Sequence, residues 1–498
     1  MANVQNRYGM TTSGRLKSTD ARIVGAELYL LPVSTRMPLR FGSETLTTVT
    51  CARARVTLRD RSGRLAEGWG ESPLSVQWAW PGELGFAMRH DAMIDFCRLL
   101  ARELASFDCW GHPLELGDAF QRDVLPILTR DFNAGESPDR WIPELASLVC
   151  CSPFDLAAHD AFGRLHGTSI YKTYTAEYLS KDLSELFVPK DSSTVDFSGL
   201  YPSAFMAPKP LIDIPVWHLV GGDDPLTSDD LCGSEPLDDY PVLLSDWIDR
   251  DGLQCLKVKL RGHDAAWDVD RMLRTGRLAI EKNVRWLAAD FNCGVSDPAY
   301  VTGILDKLAL DAPEAFSRIL YVEQPFSHEV TVGGLNVAEV ARRKPLLMDE
   351  SAHNWELVEL GRQLGWTGVA LKTCKTQTGA VMSLCWAKAH EMPVMVQDLT
   401  NPMIALISHA QLAAHAETMF GLESNAMQFY PEASKCESRV HPGLYRRRHG
   451  MISLASSRGA GFGYRLDEIG RTLPEPNISC GELCDWAQKG VPSLHVEF

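Results

Sequence analysis

The sequence predicts an α/β protein whose main body is a parallel β/α barrel, preceded by antiparallel strands and helices. Three observations predict it. From residue 214 onward, short apolar runs alternate with amphipathic helical stretches about eight times, as in a parallel sheet wound from strand–helix units. Five consecutive runs end in charged residues, at the end where a barrel places its chemistry. Residues 22–72 instead alternate every second position around a glycine turn, the pattern of antiparallel hairpins.

Composition sets the bounds. The chain has 498 residues, 45% hydrophobic and 23% charged, close to the globular average, which excludes wholesale disorder, collagen and coiled coil. No apolar run reaches the length of a membrane span. The first residues are polar without an apolar h-region, so a secretory signal is not expected and a cytoplasmic location is. The net charge of −15 argues against nucleic acid or a membrane as partner. Only Arg446, Arg447 and Arg448 cluster, and they read as a solvated edge. The thirteen cysteines include no CxxC pair. They read as reduced, mostly buried thiols.

The elements follow in order. Residues 1–21 form a polar lead-in. Residues 22–175 make an α+β unit. Its strands are RIVGAELYLLPV, TTVTCARARVTLRD and RLAEGWGE, with a turn at Arg61-Ser62-Gly63. The Pro- and Gly-containing stretch RMPLRFGSETLT reads as a loop between the first two. ELGFAMRHDAMIDFCRLLARELA and PFDLAAHDAFGRLHG have helical spacing, and Gly167 is placed as a C-cap. Residues 176–212 read as an insertion or connection. Residues 221–251 carry ten acids and one base and read as a solvated acidic excursion within the barrel segment, 213–435.

The barrel strands read as IPVWHLV, CLKVKL, VRWLAADF, RILYVEQPF, KPLLMDES, WTGVALKT, MPVMVQD and NAMQFYP. Asp264, Asp297-Pro298 and Asn354 open helices, and Gly365 ends the one that Asn354 opens. A doubly wound sheet is the competing architecture. It usually carries a Gly-rich phosphate turn after its first strand, and His218–Gly222 is a weak match.

Strands two to six end in Lys257-Val258-Lys259, Asp290, Glu323, Asp349 and Lys372. From Lys259 to Lys372 the steps are 31, 33, 26 and 23 residues, each about one strand, one helix and their loops. One charged residue at a strand end is usually a cap or an ion pair. Five in register converge on one mouth. Three adjacent carboxylates raise one another's pKa, and a hard divalent cation with oxygen ligands relieves that, which favours magnesium. A lysine beside such a cation has its pKa lowered and can act as a base. Two lysines can serve two faces of one carbon.

At KVK, DFN, VEQP, MDES and LK the chain resembles the enolase superfamily, in its muconate-lactonizing subgroup. PLRFGSETLT, with Phe41 and Ser43, resembles the family's mobile lid loop. GWGES, with Glu71 and Ser72, resembles its second lid loop. FDLAAHDAFGRLHG is similar to the helix that closes the capping domain. Residues 436–498, through HPGLYRRRHGMISLASSRGAGFGYRLDEI, resemble the return to the cap and a tail. The likeness covers roughly residues 22–470.

The resemblance implies a modified (β/α)7β TIM-type barrel with an N-terminal α+β capping domain completed by the C-terminal segment. It implies one magnesium ion per active site, held by Asp290, Glu323 and Asp349. Lys259 and Lys372 would be the acid/base pair, with Lys257 holding the substrate carboxylate or tuning Lys259. Asn292 and Glu350 would support the metal ligands. The metal would grip a small carboxylate, and one lysine would take its α-proton to give an enediolate. Cycloisomerisation, epimerisation or syn elimination could follow. Assembly into a homo-oligomer is expected from the likeness alone.

The chain departs from that pattern in places. Strand seven reads Gln397-Asp398-Leu399-Thr400-Asn401, with Asn401 where a glutamate is usual and no histidine. Strand eight lacks the D-x-D pair of dipeptide epimerases. Two other readings are a Schiff-base aldolase using Lys372 as nucleophile and a non-catalytic metal-binding barrel.

Overall fold

The computed structural model describes residues 16–42, 44–187, 194–329 and 335–482. The lead-in up to residue 15, Ser43, Cys484 and the tail beyond residue 482 lie outside them.

Strands β1 (Ala21–Phe41), β2 (Glu44–Asp60) and β3 (Leu65–Leu74) form an antiparallel sheet. The expected loop between β1 and β2 is instead the far end of one long hairpin. Pairing resumes at Leu39↔Leu46 and runs to Phe41↔Glu44, past an irregularity between Ser34 and Leu39. Pro38, which has no N–H to give a ladder, falls inside that irregular stretch. The turn at Arg61-Ser62-Gly63 lies between β2 and β3, and Gly63 has φ +89°.

Helices α1 (Phe86–Ala105), α2 (Leu125–Asn133) and α3 (Glu144–Leu165) complete this unit. Almost every residue of α3 is buried. Gly68 and Gly70 on β3 permit the close approach to it: a Cβ would sit 2.0 Å from Ala161 N at the first and 2.2 Å from the Pro153 carbonyl oxygen at the second. Gly167 follows α3 with φ +63°, the left-handed cap its position predicts.

The barrel has eight parallel strands. They are β4 (Asp213–Val220), β5 (Cys255–Lys259), β6 (Trp286–Asp290), β7 (Ile319–Glu323), β8 (Leu346–Met348), β9 (Gly368–Leu371), β10 (Val394–Val396) and β11 (Leu422–Glu423). The sheet closes through β11 on β4. Gly421 makes that closure possible. A Cβ there would lie 1.9 Å from the Pro215 carbonyl oxygen, and its φ is +63°. NAMQFYP, expected as strand eight, is instead a helical turn, Ala426–Phe429. β12 (Met451–Ser453) pairs antiparallel with β4, and β13 (Ile478–Gly481) joins the first sheet beside β1.

Outer helices include α4 (Leu244–Asp251), α5 (Ala265–Glu281), α6 (Pro298–Asp311), α7 (Trp355–Gln363), α8 (Gln377–Ala389) and α9 (Ala405–Ala416). Asp264, Asp297 and Asn354 cap α5, α6 and α7 through their side chains, and Gly365 follows α7 with φ +101°. No helix among the described residues is long and apolar enough to cross a membrane.

Two expectations about charge are corrected. The 221–251 segment is not simply solvated. Asp251 is buried and Asp224 half-buried, Asp238 pairs with Arg36 of the long hairpin at 2.6 Å, and the segment ends in α4. Nor is Arg447 a solvated edge. It is 2% exposed and donates to Asp251 Oδ2 at 2.7 Å. Within 176–212, Phe187 and Phe197 pack on Trp386 of α8, tying the connection to the barrel wall.

The interior of the barrel is layered by the two-residue period of its strands. Trp217, Cys255, Ala288, Tyr321, Leu347 and Met395 form an apolar layer. Two positions further along, the same strands carry Leu219, Lys257, Asp290, Glu323, Asp349 and Gln397. The pleat that buries the plug therefore also raises the charged ring above it.

Candidate active site

Lys257, Lys259, Asp290, Glu323, Asp349 and Lys372 stand together at the C-terminal ends of β5 to β9, all less than 10% exposed. Register places Lys259 beside Asp290 and Asp290 beside Glu323. Lys257 Nζ donates to Glu323 Oε1 at 2.6 Å, Glu423 Oε2 at 2.9 Å and Gln397 Oε1 at 3.2 Å, and lies 3.1 Å from Asp290 Oδ2. Lys259 Nζ donates to Asp290 Oδ2 at 2.5 Å. Lys372 Nζ lies 3.0 Å from Asp349 Oδ2 and donates to the Asp398 carbonyl at 3.1 Å.

The backbone around the ring is shaped to the task. Asn292 and Gln324, just past β6 and β7, have φ +42° and +29°. Asn292 N–H donates to Asp290 Oδ1 at 3.0 Å, and its side chain donates to Glu350 Oε1 at 3.0 Å. Gln324 Oε1 accepts from Asp349 N at 2.7 Å and Ser351 Oγ at 2.8 Å, which fixes the loop carrying Asp349. Asn401 accepts from Leu399 N at 3.1 Å and so staples its own loop.

Burial and charge act in opposite directions here. Burial raises the Glu323 carboxyl well above its ordinary value, and the like charges of Asp290 and Asp349 add to this. Burial also acts to raise Asp349, but Lys372 and Lys375 outweigh it and hold that carboxyl below its usual range. Burial works to lower Lys372, yet Asp349 prevails and the ammonium sits above its ordinary value. Lys257 is likewise raised, because Glu323, Glu423 and Asp290 outweigh its burial. The sequence led us to expect a lowered lysine; in this arrangement the carboxylates hold both up.

Several participants were missed from the sequence. Glu423, at the end of β11, pairs with Lys257 and accepts from Asn425 Nδ2 at 2.8 Å. Lys375 lies one helical turn after Lys372, and its Nζ donates to the Asp349 carbonyl and lies 3.2 Å from Asp349 Oδ1. Its i,i+3 spacing from Lys372 was the available signal. Asp398 is buried; burial and then Glu423 push its carboxyl up to about 7.

Of the anticipated lid residues, Phe41 lines a small cavity of about 40 Å³ together with Lys257, Lys259 and Lys372. Glu71 and Ser72 do not line it. They lie buried in β3, where Glu71 Oε2 accepts from Arg53 Nε at 2.5 Å. Trp78, in the helical turn Val76–Ala79 after β3, lines the cavity in their place. Lys372 Nζ sits 4.7 Å from its ring centroid.

Asp290, Glu323 and Asp349 bring three buried carboxyl groups to one mouth beside Lys257, Lys259, Lys372 and Lys375. The donors are all oxygen, as a hard cation requires. Among the described residues no three acidic, histidine or cysteine groups stand arranged to hold an ion; Lys257, Lys259 and Lys372 pair with these carboxylates instead. The set fits magnesium in chemistry, and the lysines must yield for it.

Residues 240–469 match the family model for enolase C-terminal domain-like proteins. No curated protein matches the chain. Solved structures do. An N-succinyl Arg/Lys racemase from Bacillus cereus aligns with TM-score 0.58 and 14% identity, over 92% of this chain and 99% of that one. A muconate lactonizing enzyme from Pseudomonas fluorescens, complexed with muconolactone, aligns with TM-score 0.56 and 14% identity, over 91% and 97%. A dipeptide epimerase from Cytophaga hutchinsonii, complexed with Mg and a dipeptide, aligns with TM-score 0.53 and 20% identity, over 83% and 89%. At these identities the likeness is one of fold.

Proposed function

From the match of residues 240–469 to the enolase C-terminal domain-like model and the likeness of overall fold, we propose that this chain is a member of the enolase superfamily and that it isomerises a small carboxylate by moving the proton on its α-carbon. One observation carries the reading. Lys259 and Lys372, on the second and sixth of eight strands, line one small cavity from opposite walls. A carbon between them presents one face to each amino group. One lysine, as the neutral amine, takes the α-proton, and the other, as the ammonium, gives a proton to the opposite face or to a developing leaving group.

The other residues serve that step. Magnesium, held by Asp290, Glu323 and Asp349, would supply positive charge to the substrate carboxylate and so acidify its α-proton. Lys257 neutralises Glu323 and Glu423 and keeps the ring from repelling an anionic substrate. Asn292 and Gln324 hold Asp290 and Asp349 in place. Leu39, Phe41, Leu46 and Trp78 keep water from the reacting carbon. Epimerisation or cycloisomerisation follows from where the second proton goes; syn elimination is the remaining outcome. The Schiff-base alternative uses Lys372 but gives no role to the three carboxylates of Asp290, Glu323 and Asp349.

The test is exchange of α-protons with solvent deuterium, across a panel of small carboxylates with magnesium present. Replacing Lys259 or Lys372 with Ala should lower exchange by about 10²–10⁴-fold while the chain stays folded. Full exchange in either variant would sink the two-lysine reading.

A further inference from the structure

Outside the lysine cavity lies a larger one of about 510 Å³. Phe41 and Trp78 line both and form the partition between them. The outer cavity is lined by several buried acceptors that no donor reaches. Glu350 Oε1 accepts from Trp78 Nε1 and Asn292 Nδ2, both at 3.0 Å. Glu350 Oε2 is buried and accepts from nothing. Asn292 spends its amide on Glu350, so its Oδ1 is left without a donor. Gln77 donates to the Thr45 carbonyl at 3.4 Å, and its Oε1 is also left without one. Glu350 and Gln77 are 5% and 9% exposed.

Three acceptors buried around one cavity are costly unless a donor arrives. The charges agree. Glu44, Glu144, Glu329 and Glu350 line this cavity, and among the described residues no lysine or arginine does. His328 and His353 also line it; His353 is a buried ring whose two nitrogens have no hydrogen-bond partner, with Nδ1 3.6 Å from Glu144 Oε2. Phe41, Trp78 and Trp80 line it as well. Three unpartnered acceptors, excess carboxylates and aromatic rings together suit one chemistry. An ammonium or guanidinium brings several donors and no acceptor, and it is drawn to aromatic rings.

We propose that the outer cavity is a subsite for a cationic group, an alkylammonium or guanidinium, at the far end of the carboxylate substrate. As a statement about substrate the proposal rests on the proton-transfer reading above; as a statement about binding it stands alone. The cation would pair with Glu350 Oε2 and take up Asn292 Oδ1 and Gln77 Oε1. The carboxylate end would pass the Phe41–Trp78 partition toward the lysines.

Two measurements on the full chain test it. The first is calorimetric titration with n-butylguanidinium, beside neutral n-pentanol. The guanidinium should bind and the alcohol should not, and Glu350→Gln should weaken binding by about tenfold or more. Glu144→Gln, at a mostly exposed side chain, should weaken it less and serves if the first variant does not fold. The second is deuterium exchange of Nα-acetyl-arginine and Nα-acetyl-lysine against Nα-acetyl-norleucine and Nα-acetyl-glutamate. Faster exchange of the basic pair supports the proposal. Guanidinium binding without exchange of any carboxylate upholds the subsite and overturns the proton-transfer reading. Absence of guanidinium binding, or faster exchange of the neutral or acidic compounds, overturns the subsite.

Discussion

Lys257 Nζ on β5 reaches Glu423 Oε2 on β11 at 2.9 Å, across β4, the strand that stands between them in the closed sheet. The pair bridges the seam at which the barrel closes. The same ammonium also serves Glu323 and Asp290, so one cation holds three buried carboxylates from three strands.

Removing that cation should be costly. Lys257→Ala leaves Glu323, Glu423 and Asp290 without it, and truncating one partner of a buried pair costs about 3–5 kcal/mol. Denaturant unfolding of Lys257→Met, Glu423→Gln and the Lys257→Met/Glu423→Gln double variant, beside Lys257→Ala, checks this. The double variant should lose less than the sum of the singles. Strict additivity would mean that the pair carries no coupling.

Asp290→Asn bears on the metal. The wild type should bind magnesium in a calorimetric titration, and the variant much more weakly, because one anionic ligand becomes neutral. A folded wild type that takes up no magnesium, with or without a carboxylate present, would remove the ion from the proposed reaction.

Asp398 gives a pH dependence of known sign. Its carboxyl is raised from 3.8 to about 7 by burial and then by Glu423. The folded state therefore holds a proton that the unfolded state releases, so stability falls as pH rises from about 4 through about 7 and then levels. Asp398→Asn should remove that fall. Measuring unfolding free energy for both proteins across this window decides it; parallel curves would show that Asp398 titrates normally.

Gly70→Ala addresses the joint between β3 and α3. A Cβ there meets the Pro153 carbonyl oxygen at 2.2 Å and Ala157 N at 2.6 Å. Both are helix backbone and cannot turn aside. Overpacking of this kind should cost about 3 kcal/mol. An unchanged melting temperature would show that α3 can shift on the sheet at little expense.

How much was legible follows the length and period of each element. β5, β6 and β7 are each five residues long, enough for alternation to show and for their charged ends to be counted. Asp264, Asp297 and Asn354 announced their helices because capping is a local transaction between a side chain and backbone two or three residues on. Strand eight was misplaced because it is only Leu422–Glu423, too short for any period, while NAMQFYP offered more apolar residues nearby. Glu423 was lost with it. The GWGES stretch was misjudged because its glycines read as loop. They are there instead so that a helix backbone can lie against the strand.

Fold class, the order of the first seven barrel strands with the helices between them, and the charged side chains that end five of those strands are legible in the chain alone. Periodicity, capping and spacing are local, and they survive in one dimension. Only the tertiary structure decided which ammonium faces which carboxylate, that Glu423 and Lys375 belong to the ring, that Glu71 belongs to a buried pair with Arg53, and that three acceptors lie buried around an outer cavity without donors. Those facts depend on the closure of β11 onto β4, on the register of β2 with β3 that sets Arg53 beside Glu71, and on the packing of the first sheet over the barrel mouth. Partner choice in a buried ring is settled by distance and desolvation rather than by neighbours in the chain.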